Sequence, residues 1–244
     1  MDHFIVSTPG RLFSSRGRDR DDRMYKGGVI FVDQYSGYVH VVPVVNFTAG
    51  EAIRAKREFE AELESMGVTV THYHSDNGVF TAAEFQDELV RVGQVLTLSG
   101  VGAHHQNGMA ERSIGTVVSM TRTMMLHAKL RWPQAVSTKL WPMAIKHAEH
   151  LLNHLPSNNN VCHLDLMLGT TVPRSHLRDL HVWGAPCYVL DPKLQDGHKI
   201  PKFNSRSRRG LYLGMSPRHA STVPLVLNLQ TGHISPQFHV VCSV

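Results

Sequence analysis

The residues of this chain whose types and spacing suit chemistry are acids at the ends of apolar runs. Asp76 falls where the alternating run Val68–His74 stops, in Ser75-Asp76-Asn77-Gly78, which forces a turn. Glu111 falls in the first turn of an expected helix, directly after Gly100-Val-Gly-Ala-His-His-Gln-Asn-Gly108. Thirty-four residues separate the two acids, enough for a helix, a strand and a loop to bring them side by side. Asp2 heads His3-Phe4-Ile5-Val6, a candidate first strand. Three carboxylates at one sheet edge repel each other unless they share cations. Two hard divalent ions about 4 Å apart suit such a site, where they activate a nucleophile and stabilise a leaving oxygen. Each acid also has a plainer use: an Asp at a strand end forms turns, and a Glu in a first helical turn complements the helix dipole.

The elements that must position these acids follow from periodicity. The first 23 residues read as irregular, with a mixed-charge stretch from Ser14 to Arg23. Residues 28–32 and 38–45 are β-branched runs split by Asp33-Gln-Tyr-Ser-Gly37, which predicts a hairpin. Thr48-Ala-Gly-Glu51 is a capping box opening a helix whose inward face is Ile53, Phe59, Leu63 and Met66, with Gly67 as its stop. Thr81-Ala-Ala-Glu84 predicts a second such helix, with Phe85, Leu89 and Val92 inward, before a short strand Gln94–Leu98. Longer helices are expected over about 109–130, with Ile114, Val117, Val118, Thr121 and Met125 at helical spacing, and through Leu140–Leu155. Beyond residue 180 short strands (CYVL, RGLYLG, PLVLN, HISPQFHVV) predict a small β-barrel. The expected architecture is α/β over residues 1–155, a linker over 156–180, and a barrel over 181–244.

Composition narrows the function classes. With 42% hydrophobic and 18% charged residues among 244, the chain can build a core. No run of about 18 apolar residues exists, and Met1–Phe13 lacks the pattern of a secretory signal. Cys162, Cys187 and Cys242 lie far apart, so neither a disulfide framework nor zinc-ligand spacing is expected, and a reducing intracellular compartment follows. Residues 1–155 carry 16 basic and 16 acidic side chains, and residues 156–244 carry 9 and 4, so the whole net charge of +5 lies in the second part. A basic surface of that kind attracts polyanions.

Two motifs in order carry a resemblance. His74-Ser-Asp-Asn-Gly78 and His105-Gln-Asn-Gly-Met-Ala-Glu-Arg112 resemble the second and third acidic motifs of copia-type LTR retrotransposon integrases, members of the retroviral integrase superfamily with an RNase H-like core. Phe31-Val-Asp-Gln-Tyr-Ser-Gly-Tyr38 resembles the family's second strand and its turn. Val182-Trp-Gly-Ala-Pro186 through Arg208-Arg-Gly-Leu-Tyr-Leu-Gly214 resembles the SH3-like barrel that follows that core. The resemblance makes Asp76 the second metal-binding acid and Glu111 the third. Asp33 lies on the family's second strand, where its counterpart is not a ligand, so Asp2 takes the first place and Ser7–Lys26 becomes an insertion. The chain begins one residue before Asp2, and the family's zinc, protease and reverse transcriptase regions lie outside it, so it reads as a polyprotein fragment.

The implied function is DNA integration. Two Mg²⁺ or Mn²⁺ ions held by Asp2, Asp76 and Glu111 serve attack by water on the element's DNA ends, then attack by the freed 3′-hydroxyl on target DNA. The nucleophile being water or DNA, no protein serine or cysteine is needed, and no nucleophile–base pair stands out. His104, His105 and Asn107 in the glycine-bearing loop are candidate DNA contacts, as are Arg206, Arg208 and Arg209, the densest basic cluster. His72 and His74 alternate on a strand and read as structural. The partners expected are element ends, target DNA and further copies of the chain, with no membrane. A nuclear location follows only from the activity. The alternatives are a catalytically inactive nucleic-acid-binding remnant and a simple metal-dependent nuclease.

Overall fold

The computed structural model describes residues 1–13, 23–100, 104–156, 160–220 and 222–243. The mixed-charge stretch 14–22 and the loop residues 101–103 lie outside the described residues.

The candidate first strand headed by Asp2 forms, and β1 (Asp2–Gly10) runs past Val6 into residues read as irregular. It pairs antiparallel with β2 (Tyr25–Val32), Asp2 opposite Ile30 and Ile5 opposite Gly27, with a register shift before Gly10. Phe4 is buried and Ile5 is exposed, the alternation of a strand with one face on a core. β2 pairs in turn with β3 (Val39–Val44), as the hairpin pattern predicts. Asp33 makes the turn between them: its Oδ2 accepts from the Ser36 backbone N–H and hydroxyl, both at 2.7 Å. The three-stranded sheet has the order β1-β2-β3.

α1 (Ala49–Ser65) starts where the capping box places it, the Thr48 hydroxyl accepting from the Glu51 N–H at 3.4 Å. Ile53, Phe59 and Leu63 are buried as expected, and Phe59 stacks on Phe31 with ring centroids 4.5 Å apart. Thr81 does not cap the next helix. It sits in a single 3₁₀ turn, Val79–Thr81, and its hydroxyl donates to the Gly78 carbonyl at 2.9 Å, leaving Ala82 as the N-cap of α2 (Ala83–Arg91). Val92, expected inward, lies past the end of α2 and is exposed, while Phe85 and Leu89 are buried. α2 joins the parallel pair β4 (His72–Ser75) and β5 (Val95–Leu98), a short crossover unit. β4 is shorter than the run Val68–His74 suggests, because Val68 and Val70 pack against the core without entering a ladder.

α3 (Gly108–Arg131) buries Val117 and Thr121 from the predicted stripe, whereas Val118 is exposed. α4 (Trp141–His154) follows. The stretch expected to be a linker contains α5 (His163–Leu168): Leu164 is in the core, and a His163 ring nitrogen lies 2.7 Å from the Ser36 carbonyl.

The C-terminal strands are β6 (Pro186–Leu190), β7 (Ser207–Met215), β8 (Pro224–Asn228), β9 (Ile234–Pro236) and β10 (Val240–Cys242), with the one-turn helix α6 (Pro192–Gln195) after β6. They form one antiparallel sheet in the order β10-β6-β7-β8-β9. Its edge strands β9 and β10 do not pair among the described residues, so the expected closed barrel is an open sheet here. Central β7 is covered on both faces. Leu211 and Leu213 pack with Trp183, Leu140 and Met143, while Tyr212 between them packs with Cys187, Val189 and Val226. The register sets Cys187 opposite Cys242, and the two form a disulfide, contrary to the reading of the linear spacing. Cys162 remains a buried free thiol.

The chain divides into two compact units. One comprises Met1–Gly10, Arg23–Ser119 and Ala148–Val172; the other takes Met120–His147, Pro173 onward and the described residues after Gly10. No helix among the described residues is long and apolar enough to cross a membrane.

Candidate metal centre

The site forms in the first unit, where the two small sheets meet. The Met1 nitrogen donates to the His74 carbonyl at 2.6 Å, which sets the start of β1 beside β4. Asp2 is the first residue of β1, and Asp76 is the first residue after β4. This meeting of a strand start and a strand end brings Asp2, His3 and Asp76 together, with one ligand atom from each lying within 4.8 Å of the others. The His3 backbone N–H donates to Asp2 Oδ1 at 2.7 Å and fixes that carboxylate.

The electrostatics favour a cation. Burial raises the Asp2 carboxyl above the usual range; the bond from the His3 backbone opposes this, and the neighbouring Asp76 charge adds to it. Asp76 Oδ1 and His3 Nδ1 are buried and have no hydrogen-bond partner. A buried carboxylate oxygen without a donor is costly unless an ion fills its coordination. The donor set of two carboxylates and one imidazole fits a divalent ion such as Mn²⁺, and Asp2 and Asp76 alone fit Mg²⁺. Gly78 closes the far side: a Cβ there would meet Asp76 Oδ1 and His3 Cε1, each at 3.3 Å.

Glu111 is not part of this group among the described residues. It is exposed on the first turn of α3. The start of α3 is nevertheless tied to the site, because the Asn107 amide donates to the Met1 carbonyl at 3.3 Å. Asn107 is 4% exposed, so its amide faces Met1 rather than solvent. His104 and His105 open the short 3₁₀ turn His104–Asn107, and their own side chains lie outside the described residues. His74 has a ring nitrogen 2.9 Å from Thr97 Oγ1 and the other 3.2 Å from Ser99 Oγ, and His72 lies 3.1 Å from Thr97 Oγ1; both fit the structural reading. In the second unit, strand alternation divides the arginine cluster: Arg208 and Arg209 are successive residues of β7 and point to opposite faces, with Arg206 just before the strand. His3 was missed by sequence reading. Its only signal is adjacency to Asp2, which alternation along a strand argues against.

A cavity of about 450 Å³ in the same unit is lined by Phe31, Asp33, His72, His74, Gln106 and Met167, among others. Neither Asp2 nor Asp76 lines it, so the candidate chemistry lies outside that cavity.

The fold is a mixed α/β one. No protein-family model matches the chain. Among solved structures, it is similar to a chain of the simian T-cell lymphotropic virus intasome in complex with the PP2A regulatory subunit B56 gamma, at 19% identity and a TM-score of 0.50, over 100% of this chain and 77% of that one. It also matches the HTLV-2 integrase catalytic core domain in complex with magnesium (20% identity, TM-score 0.45, 68% of this chain and 93% of that one). The BIV integrase catalytic core domain matches at 20% identity and a TM-score of 0.44, over 57% of this chain and 84% of that one.

Proposed function

We propose that this chain is the catalytic region of an integrase of the copia retrotransposon type, a polynucleotidyl transferase acting on DNA. The observation that carries the reading is the pairing of Asp2 with Asp76 at the junction of the two sheets, with a buried Asp76 oxygen that lacks any donor. Strand order supports it: an antiparallel β1-β2-β3 sheet beside a parallel β4-β5 pair suits an RNase H-like core. The intasome likeness agrees with this fold.

In this reading Asp2 and Asp76 hold the divalent ions, and His3 borders them. Glu111 completes the set from α3, just before which Asn107 donates to the Met1 carbonyl that precedes β1. The metal ions supply a more acidic nucleophile and charge neutralisation at the phosphorus. The chain's own part is to fix the carboxylates: the His3 backbone orients Asp2, the end of β4 presents Asp76, and Gly78 leaves them room. The five-stranded sheet takes the role of the SH3-like domain, with Arg206, Arg208 and Arg209 meeting phosphates. Element ends and target DNA are the substrates, further copies of the chain the partners, and the nucleus the place of work.

One observation favours a second reading. Glu111 lies outside the Asp2–His3–Asp76 group, which is what an inactive nucleic-acid-binding remnant would show. Cleavage and joining of a labelled duplex ending in the element's terminal repeat separates the two. Mn²⁺-dependent joining that is abolished in Asp76→Asn and in Glu111→Gln, with both variants folded, is the expected result. Binding to DNA without chemistry in the wild type selects the remnant, and cleavage retained in Asp76→Asn removes the metal assignment.

A further inference from the structure

We infer that His40, Glu62 and Glu149 form a second divalent-cation site, of the zinc type, inside the first unit. The three come from β3, α1 and α4, and their ligand atoms lie within 4.8 Å of one another. His40 Nδ1 is 3.3 Å from Glu62 Oε2 and 3.3 Å from Glu149 Oε1. Zinc binds imidazole nitrogen and carboxylate oxygen at about 2.0–2.1 Å, so neighbouring ligand atoms of a tetrahedron stand roughly 3.3–3.4 Å apart. A charge-assisted hydrogen bond from an imidazolium to a carboxylate is shorter, about 2.7–2.9 Å. Both His40–carboxylate separations match the tetrahedral edge.

The surroundings orient the ligands. Tyr38 Oη donates to Glu62 Oε1 at 2.7 Å, and the Val41 N–H donates to Glu149 Oε2 at 3.1 Å. In each carboxylate, then, one oxygen is held from outside and the other faces His40, the outer-shell pattern that fixes metal ligands. On α4 one turn after Glu149, the Asn153 amide accepts from the Val39 N–H at 2.9 Å and donates to the Val39 carbonyl at 2.6 Å, clamping β3 to the helix that carries Glu149.

Charge points the same way. The side chains of His40 and Glu149 are 1% and 6% exposed, and two carboxylates meet there. A divalent ion offsets two carboxylate charges more fully than a single imidazolium does. Glu62 is 37% exposed, which leaves an entry path and room for a water as fourth ligand.

The test uses the full chain carrying Asp76→Asn, which removes the other candidate site, with Co²⁺ as the probe. The expected result is one equivalent of Co²⁺ with the intense visible absorption of a tetrahedral site, displaced by Zn²⁺, and bound at least tenfold more weakly in His40→Gln. Because His40 is buried, a second measurement needs no variant there: X-ray absorption of the zinc-loaded Asp76→Asn chain should show one imidazole and oxygen neighbours. Failure to bind Co²⁺, an octahedral spectrum indifferent to His40→Gln, or sulfur scattering at the zinc edge would each overturn the proposal. The first of these outcomes leaves His40 as a side-chain clamp between two carboxylates.

Discussion

A methyl group at position 78 fits only if Asp76 or His3, side chains of the candidate metal site, gives way. Its Cβ would stand 3.3 Å from both Asp76 Oδ1 and His3 Cε1, closer than an ordinary van der Waals contact. The φ of Gly78, −99°, lies outside the left-handed region that favours glycine. Gly78→Ala should therefore fold normally yet weaken Mn²⁺ binding by about tenfold, the scale seen when groups around metal ligands are disturbed. Calorimetric titration with Mn²⁺ would read this, and an unchanged affinity would place the ion elsewhere. At this scale the sequence was informative about Asp76, whose turn-forming context Asn77-Gly78 is local. It was uninformative about His3 and about the His40–Glu62–Glu149 group, whose members are drawn from separate elements. The same distance in sequence hides Glu111's position, because the loop before α3 decides where its first turn faces.

Elements were legible where one short-range cause dominates. Thr48 caps α1 because its hydroxyl reaches the Glu51 N–H, and the β2–β3 hairpin forms because Asp33 closes the turn. They were misread where two causes compete: Thr81 matches a capping box, but Phe80 is fully buried in the preceding 3₁₀ turn, and the Thr81 hydroxyl turns to Gly78 instead. Strand pairing is the case where spacing misleads most. Cys187 and Cys242 are 55 residues apart, yet β6–β10 register sets them face to face. β10 is only three residues long and sits at a sheet edge, so the crosslink is a major part of what holds it. Closing a loop of that length removes about 4 kcal/mol of unfolded-chain entropy in the simple model, and measured values are commonly 2–4 kcal/mol. Reduction should accordingly lower unfolding stability in urea by about 2–4 kcal/mol, and Cys242→Ser should be insensitive to reductant. Thiol titration of the denatured, unreduced chain should find Cys162 alone, so three free thiols would refute the crosslink.

At the scale of the whole molecule, two compact units each bring their own core, and the second carries the excess positive charge. Its interior also contains a group that links stability to pH. His147 on α4 is 5% exposed, lies edge-on to Tyr212 with ring centroids 5.7 Å apart, and abuts Gly214, whose φ of +104° admits few side chains. Burial holds its imidazole down to about 4, against an ordinary value of 6.5. As pH falls from 7 towards 5 the unfolded chain therefore takes up a proton that the folded chain refuses, and stability falls as pH falls between 6.5 and about 4. At pH 5 the loss from this one histidine is about 2 kcal/mol, approaching roughly 3 kcal/mol below pH 4. The carboxylate Glu88, held down to about 2 by Arg91 and Arg57, loses its contribution only at still lower pH, so the two effects separate. Urea unfolding at pH 7.5 and pH 5 should show the wild type losing about 2 kcal/mol more than His147→Gln over that interval. Equal losses in the two proteins would mean that His147 accepts its proton within the folded unit, and that the ring is not sealed against Tyr212 as the packing implies.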